Sequence, residues 1–243
     1  MADFEMTAAV FGLGDVAEGA TAGTAAGAPD AVKTLIIVHV DDWEAWHSTA
    51  DHLARNWITA QKFSGNPGTA LAIPTADGEI ERAVGVVGKH GVWDGAGLAK
   101  SLPLATWAIE RASGSALSDE ACEMLALGWA LSQYRFERYK NTPPTGEAPN
   151  CLQIPAGSNR ERLLGLVQGV WLCRNLINIP ANHMTPKGLE DAARNLATQF
   201  SAGMTVISGP ELETACPALH TGGRAAEVGP RMIDMSWGRT GPK

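Results

Sequence analysis

Residues 171–186 read Trp171-Leu-Cys-Arg-Asn-Leu-Ile-Asn-Ile-Pro-Ala-Asn-His-Met-Thr-Pro186. They spell a helix end, a short rigid crossing and a new helix start. Leu172, Leu176 and Ile177 continue an apolar face. Pro180 drives Ile179 toward extended geometry, because the proline ring crowds the helical region of the residue before it. Thr185 is placed to cap the next helix, with Pro186 in its first turn, where a missing N–H costs nothing.

Upstream of this crossing, Ser158-Asn-Arg-Glu161 matches a capping box, and a helix is expected from there to about Ile177. At 1.5 Å per residue it spans roughly 28 Å, enough to bridge two domains. Leu163, Val167, Val170 and Trp171 line one side, while Leu164, Leu172, Leu176 and Ile177 widen the stripe. Downstream, Leu189, Ala192, Ala193, Leu196, Ala197 and Phe200 recur at helical spacing. Strands are expected at Met204–Ile207 and Arg231–Trp237, with a short helix at Glu211–Ala215. That order reads as the opening of an α/β sheet.

Arg174-Asn-Leu-Ile-Asn-Ile-Pro-Ala-Asn-His-Met-Thr-Pro186 resembles the segment that joins the two domains of the leucine aminopeptidase (cytosol aminopeptidase) family. Leu127-Gly-Trp-Ala-Leu131 with Tyr134-Arg-Phe-Glu-Arg-Tyr-Lys140 resembles the last helix of that family's N-terminal domain. His220-Thr-Gly-Gly-Arg-Ala-Ala226, followed by Pro230–Trp237, resembles an early catalytic-domain segment in which a glycine turn precedes an inner strand. The resemblance covers about residues 31–243 and is strongest from 127 onward. It implies a two-metal exopeptidase that removes Leu-type N-terminal residues from peptides with zinc or manganese, assembled as a hexamer in the cytoplasm. It also implies that the chemistry lies outside this chain. Leu219-His-Thr-Gly-Gly223 is similar to the family's Phe-Asp-Thr-Gly-Gly metal segment, but His220 stands where the metal-binding Asp would be. No Gly-Lys-Gly precedes it, and no Asn-Thr-Asp-Ala-Glu-Gly-Arg occurs anywhere. No catalytic, metal-binding or cofactor-binding residue is carried over.

The N-terminal half supplies the rest of the expected fold. Lys33–Val40 is a nearly continuous β-branched run, as in a strand buried on both faces. Asp41 or Asp42 is expected to cap one helix to about Ala60, with Trp43, Trp46, Leu53 and Trp57 along one face. Thr69–Pro74 and Glu81–Val87, separated by Asp77-Gly78, read as a hairpin. A short helix near Asp94–Ser101, a strand at Ala105–Glu110, a Ser118-capped helix to about Tyr139, a proline-rich loop at 141–149 and a strand at Cys151–Pro155 follow. Arg135, Arg138 and Lys140 would sit at the negative end of the Ser118 helix. The expected fold class is α/β: a loose Gly/Ala-rich tail (1–30), a three-layer-like domain with a mixed sheet (31–155), a linker helix (156–178) and the incomplete beginning of a second α/β domain (179–243).

Composition narrows the alternatives. With 45% hydrophobic residues the chain can bury a sizeable core, and a net charge of −7 without a Lys/Arg block leaves no nucleic-acid footprint. No apolar run reaches the ~18 residues a membrane helix needs. Cys122, Cys151, Cys173 and Cys216 form no Cys-x-x-Cys pair and read as small buried hydrophobes, Cys173 by packing on the helix stripe rather than as a nucleophile. Gly12-Leu-Gly14-Asp-Val-Ala17 imitates a dinucleotide fingerprint without the helix that should follow it. Gly88-Lys89 suggests a phosphate loop, yet Ala83 and His90 occupy required Gly and Ser/Thr places. Glu44, His47 and Asp51 could share a helical face as metal ligands, with His52 beside them, but a solvated polar face explains them as well. His183 is expected to hydrogen-bond backbone.

Two further readings stand beside a peptidase portion that is inactive alone and serves assembly. One is a nucleotide- or phosphate-binding α/β module using Gly85–Gly97, and the other is a structural partner of a full-length paralogue. A sheet with an open edge and an uncovered apolar face is also expected to associate.

Overall fold

The computed structural model describes residues 13–14, 31–141 and 150–238. The chain divides into two compact units, Met1–Trp171 and Leu172–Lys243.

The first unit is built on a six-stranded mixed sheet. Its strands are β1 (Leu13–Gly14), β2 (Lys33–His39), β3 (Thr69–Pro74), β4 (Ile80–Val87), β5 (Thr106–Arg111) and β6 (Cys151–Gln153). The order is β1-β6-β5-β2-β4-β3, with β3 antiparallel to β4 and the other neighbours parallel. β2 and β4 lie inside the sheet, and their stretches Leu35–Val38 and Ala83–Val87 are apolar, as strand segments covered on both faces must be. Asp77-Gly78 makes the β3–β4 turn, Gly78 taking φ 86°.

Helices cover both faces. On one side lie α1 (Trp43–Thr49) and α2 (His52–Ala60), where Val38, Trp43, Ala54, Ile58, Ile73, Val84 and Val86 form a core. On the other, α3 (Val92–Ser101), α4 (Asp119–Ser132) and α5 (Arg160–Asn178) pack Leu98, Leu125, Trp129, Leu163, Val167 and Trp171 against Leu35, Ile37, Ala83 and Trp107.

Four local expectations are corrected. Leu13 is 0% exposed and pairs with Leu152, so this dipeptide is an edge strand rather than part of a loose tail; the surrounding tail residues and the 142–149 loop lie outside the described residues. The helix expected from Asp41 to Ala60 is two helices after a 3-10 turn (Val40–Asp42), because Ala50 and Asp51 take extended backbone. Asp51 then caps α2, accepting the Ala54 N–H at 3.0 Å.

α4 stops at Ser132, so Arg135, Arg138 and Lys140 follow the helix instead of closing it. Tyr134, just past the end, packs its ring edge against Trp171 with centroids 5.3 Å apart. Finally, Asn159 rather than Ser158 caps α5, accepting the Arg162 N–H at 3.0 Å, while the Glu123 carboxylate takes the Asn159 N–H at 2.9 Å. The Ser158 hydroxyl is buried.

In the second unit, Thr185 accepts the Gly188 N–H at 3.2 Å and starts α6 (Pro186–Gln199), as the sequence implies. β7 (Gly203–Ser208) and β8 (Arg231–Ser236) pair antiparallel. α7 (Gly209–Ala215) follows β7, and α8 (Pro217–Gly223) forms where the glycine turn was expected, leaving the turn itself to the residues after it. Arg231 of β8 reaches α6 while Met232 reaches Cys216 between α7 and α8, so the two faces of this short sheet carry different helices.

Candidate functional site

The glycine-dense loop after β4 is the place where a parallel sheet could hold an anion. Here it is already filled. The Gly88 N–H donates to Asp94 Oδ2 at 2.8 Å, and Asp94, in the first turn of α3, is 4% exposed. A carboxylate of the chain itself thus takes the favourable position at the helix N-terminus. Lys89 and His90 are exposed beside it.

The glycines serve packing. A Cβ on Gly95 would fall on the Leu125 carbonyl, and one on Gly128 would fall on that of Val92. α3 and α4 therefore meet backbone to backbone. A Cβ on Gly97 would likewise strike the Gly68 carbonyl, so α3 also lies tight on the β3 side. That accounts for the glycine density without a ligand.

The candidate metal set comes apart at the α1–α2 break. Glu44 and His47 lie on α1, whereas Asp51 caps α2. His47 stacks on Trp43 with ring centroids 5.7 Å apart, and its Nε2 is buried. Asp51 pairs with Arg82 at 2.6 Å. The Ala54 N–H, and then the Arg82 guanidinium, hold its carboxyl below the ordinary carboxylate range. His52 faces Asn56 one turn on. Among the described residues no three His, Cys, Asp or Glu side chains are grouped so as to hold a metal ion.

The other flagged residues separate as well. His220 is half-exposed on α8. His183 is exposed, and its backbone N–H donates to the Pro180 carbonyl at 2.9 Å. Cys122 is buried and Cys151 and Cys216 half-buried, but Cys173 is exposed, against expectation. It stands about 200° around α5 from buried Trp171. Burial pushes the Cys151 thiol up.

Asn150, Glu123 and Glu190 are buried polar residues whose long-range partners the sequence does not show. Asn150, 3% exposed, accepts the Ala105 N–H at 3.2 Å and donates to the carbonyls of Ala99 (3.0 Å) and Leu102 (3.3 Å). Its own carbonyl accepts from Trp129 Nε1 at 2.8 Å. Glu123 ties α4 to the start of α5 through Asn159 and Arg162. Glu190 on α6 binds Arg194 at 2.7 Å and Arg231 at 2.6 Å, and these two guanidiniums hold its carboxyl low. The Glu190–Arg194 spacing is a helical i,i+4 pair visible in the sequence; Arg231 comes from a distant strand. Each network joins elements of one unit, so these residues serve architecture.

Comparison with known proteins assigns that architecture. The M17 aminopeptidase N-terminal domain matches residues 34–149, and the cytosol aminopeptidase family catalytic domain matches residues 171–243. The probable cytosol aminopeptidase of Exiguobacterium sibiricum is 25% identical over 202 residues, 74% of this chain and 40% of that protein. The one from Geobacter sp. (strain M21) is 31% identical over 158 residues, 61% of this chain and 30% of that protein. The crystal structure of cytosol aminopeptidase from Coxiella burnetii superposes with a TM-score of 0.74 at 30% identity, over 86% of this chain and 44% of that one. The bottromycin maturation enzyme BotP in complex with Mn shares the fold, with a TM-score of 0.65 at 22% identity. The chain spans less than half the length of these relatives. Two domain matches in the same chain order, joined through α5 and backed by a shared fold, lead to one conclusion: this chain belongs to the leucyl (cytosol) aminopeptidase family and carries its N-terminal part.

Proposed function

We propose that the complete protein is a leucyl-type metallo-aminopeptidase, removing N-terminal residues from peptides with two divalent cations, zinc or manganese. The observation that carries this reading is the match of the N-terminal domain over residues 34–149 and of the catalytic domain over residues 171–243, in that order along the chain. Two-metal hydrolysis needs several convergent carboxylates to grip the ions and make a bound water nucleophilic. The described residues of this chain offer no such set and do not fit the ions, so no step of the reaction is assigned to them. Their part is assembly, in a cytoplasmic hexamer as the family resemblance implies, and the shaping of access to the site.

The reading is tested by joining this chain to the remainder of the Coxiella burnetii relative's catalytic domain. Leucyl-p-nitroanilide is then supplied with Mn²⁺ or Zn²⁺. Metal-dependent release of p-nitroaniline, abolished by a chelator, is the expected result; a folded fusion that releases none overturns it. The phosphate-binding reading finds no support, since Asp94 occupies the loop it would use.

A further inference from the structure

The two outer sides of the first unit's sheet are closed in different ways. On one side, β3 ends in Pro74, where its pairing with β4 loses register between Ile73 and Pro74. Trp57 of α2 donates its Nε1–H to the Ala72 carbonyl of the same strand at 2.9 Å. A proline, a bulge and a covering side chain each keep an edge from pairing with another chain. On the other side β6 has none of these. Cys151-Leu152-Gln153 carries neither proline nor charge, and among the described residues the dipeptide β1 alone lies beyond it.

β1 is a small piece in a deep seat. Leu13 stands opposite Leu152, which stands opposite Trp107 of β5, so the three form one row across the sheet. Their exposures are 0%, 1% and 0%, and all three belong to the same core. Gly14, paired with Gln153, adds backbone and no side chain. β1 is thus held at two positions and by one leucine, whereas β2 pairs with β4 from Thr34 to His39. A segment held by so few contacts opens locally, well before the sheet around it unfolds.

We propose that β1 is a seal for the β6 edge: a strap that opens on its own and, when displaced, leaves Cys151–Gln153 free to pair with the same strand of a second copy. The partner follows from geometry. An edge strand meets its own copy about a two-fold axis, each supplying the N–H and C=O groups that the other lacks. With Leu13 withdrawn, the row also loses its outer member, and Leu152 comes to the margin as an apolar contact beside the free edge. The seal belongs at β6 and not at β3, because β3 has its proline and its tryptophan.

The test uses the full chain. In the wild type, native-state hydrogen exchange of the 13–14 and 152 amides is expected through an opening that urea does not promote, at least about tenfold faster than exchange at Leu35–Val38, which follows global unfolding. Leu13→Ser is expected to raise the weight-average mass by light scattering about twofold over the wild type at equal concentration, with unchanged far-UV circular dichroism. Adding Gln153→Lys should return the mass to the wild-type value, because a lysine on an edge opposes pairing. Leu13→Met, which refills the seat, should behave as the wild type. A Leu13→Ser chain that keeps the wild-type mass overturns the proposal, and so does association that Gln153→Lys leaves in place. A Leu13→Ser chain that unfolds, or wild-type β1 amides that exchange only with the central strands, would make β1 part of the core and not a seal, and also overturns it.

Discussion

The Nε–H of Arg231 donates to Glu190 Oε2 at 2.6 Å and ties strand β8 to helix α6 across 41 residues of sequence. Arg194 holds the other carboxylate oxygen from one turn along the helix. Glu190 is 7% exposed, and a buried carboxylate is tolerated because both oxygens are matched by cations.

This pair sets an acid sensitivity. The folded-state pKa of Glu190 is lowered, by Arg194 first and Arg231 second. Its contribution is therefore complete above the unfolded Glu value of about 4.3 and is lost as pH falls through the lower folded value. Hydrogen exchange of α6 and β8 should accelerate across that acid window. Glu190→Gln should speed exchange already at neutral pH and flatten the acid dependence. Equal exchange in wild type and variant at pH 7 would contradict the account.

Asn150→Ala removes three side-chain hydrogen bonds that hold the Ala99–Ala105 turn against β6. Each buried group left unmatched is costly, and the summed loss should be about 3 kcal/mol in urea unfolding of the first unit. A change below about 1 kcal/mol would mean that water replaces the amide.

Gly128→Ala sets two effects against each other. Alanine favours an exposed helix interior by about 1 kcal/mol over glycine. Here the added methyl would strike the Val92 carbonyl, and backbone cannot step aside as a side chain can. Overpacking of this kind costs about 1–3 kcal/mol, so the variant should be less stable despite its better propensity. A raised melting temperature would show that α3 and α4 can separate freely.

Asp51 separates capping from ion pairing. Asp51→Ala should cost about 1 kcal/mol through the lost α2 cap. Asp51→Ser keeps a capping oxygen and loses only the half-exposed Arg82 pair, worth about 0.5 kcal/mol. Equal losses in thermal unfolding would assign the effect to Arg82.

Legibility followed the range of the interaction. The apolar run at 33–40, the Asp77-Gly78 hairpin and the Thr185-Pro186 helix start are local signals, and the structure contains all three. The break at Ala50 was hidden because the spacing of Trp46, Leu53 and Trp57 runs on through it, although Asp51 was an available cap. Asn159 displaced Ser158 as the α5 cap because Glu123, 36 residues away, claims its N–H. The packing role of Gly95 and Gly128 was equally distant: one helix must be set against the other before the close approach is visible. The burial of Glu190 inside an amphipathic helix depends on Arg231, which periodicity cannot see.

The central claim is that this family member's own described residues do not assemble the two-cation site. It is tested most directly by incubating the isolated 243-residue chain with leucyl-p-nitroanilide and Mn²⁺ while the bound metal is measured on the same sample. The account predicts no release of p-nitroaniline and no stoichiometric Mn²⁺. Turnover accompanied by two bound ions per chain would contradict it.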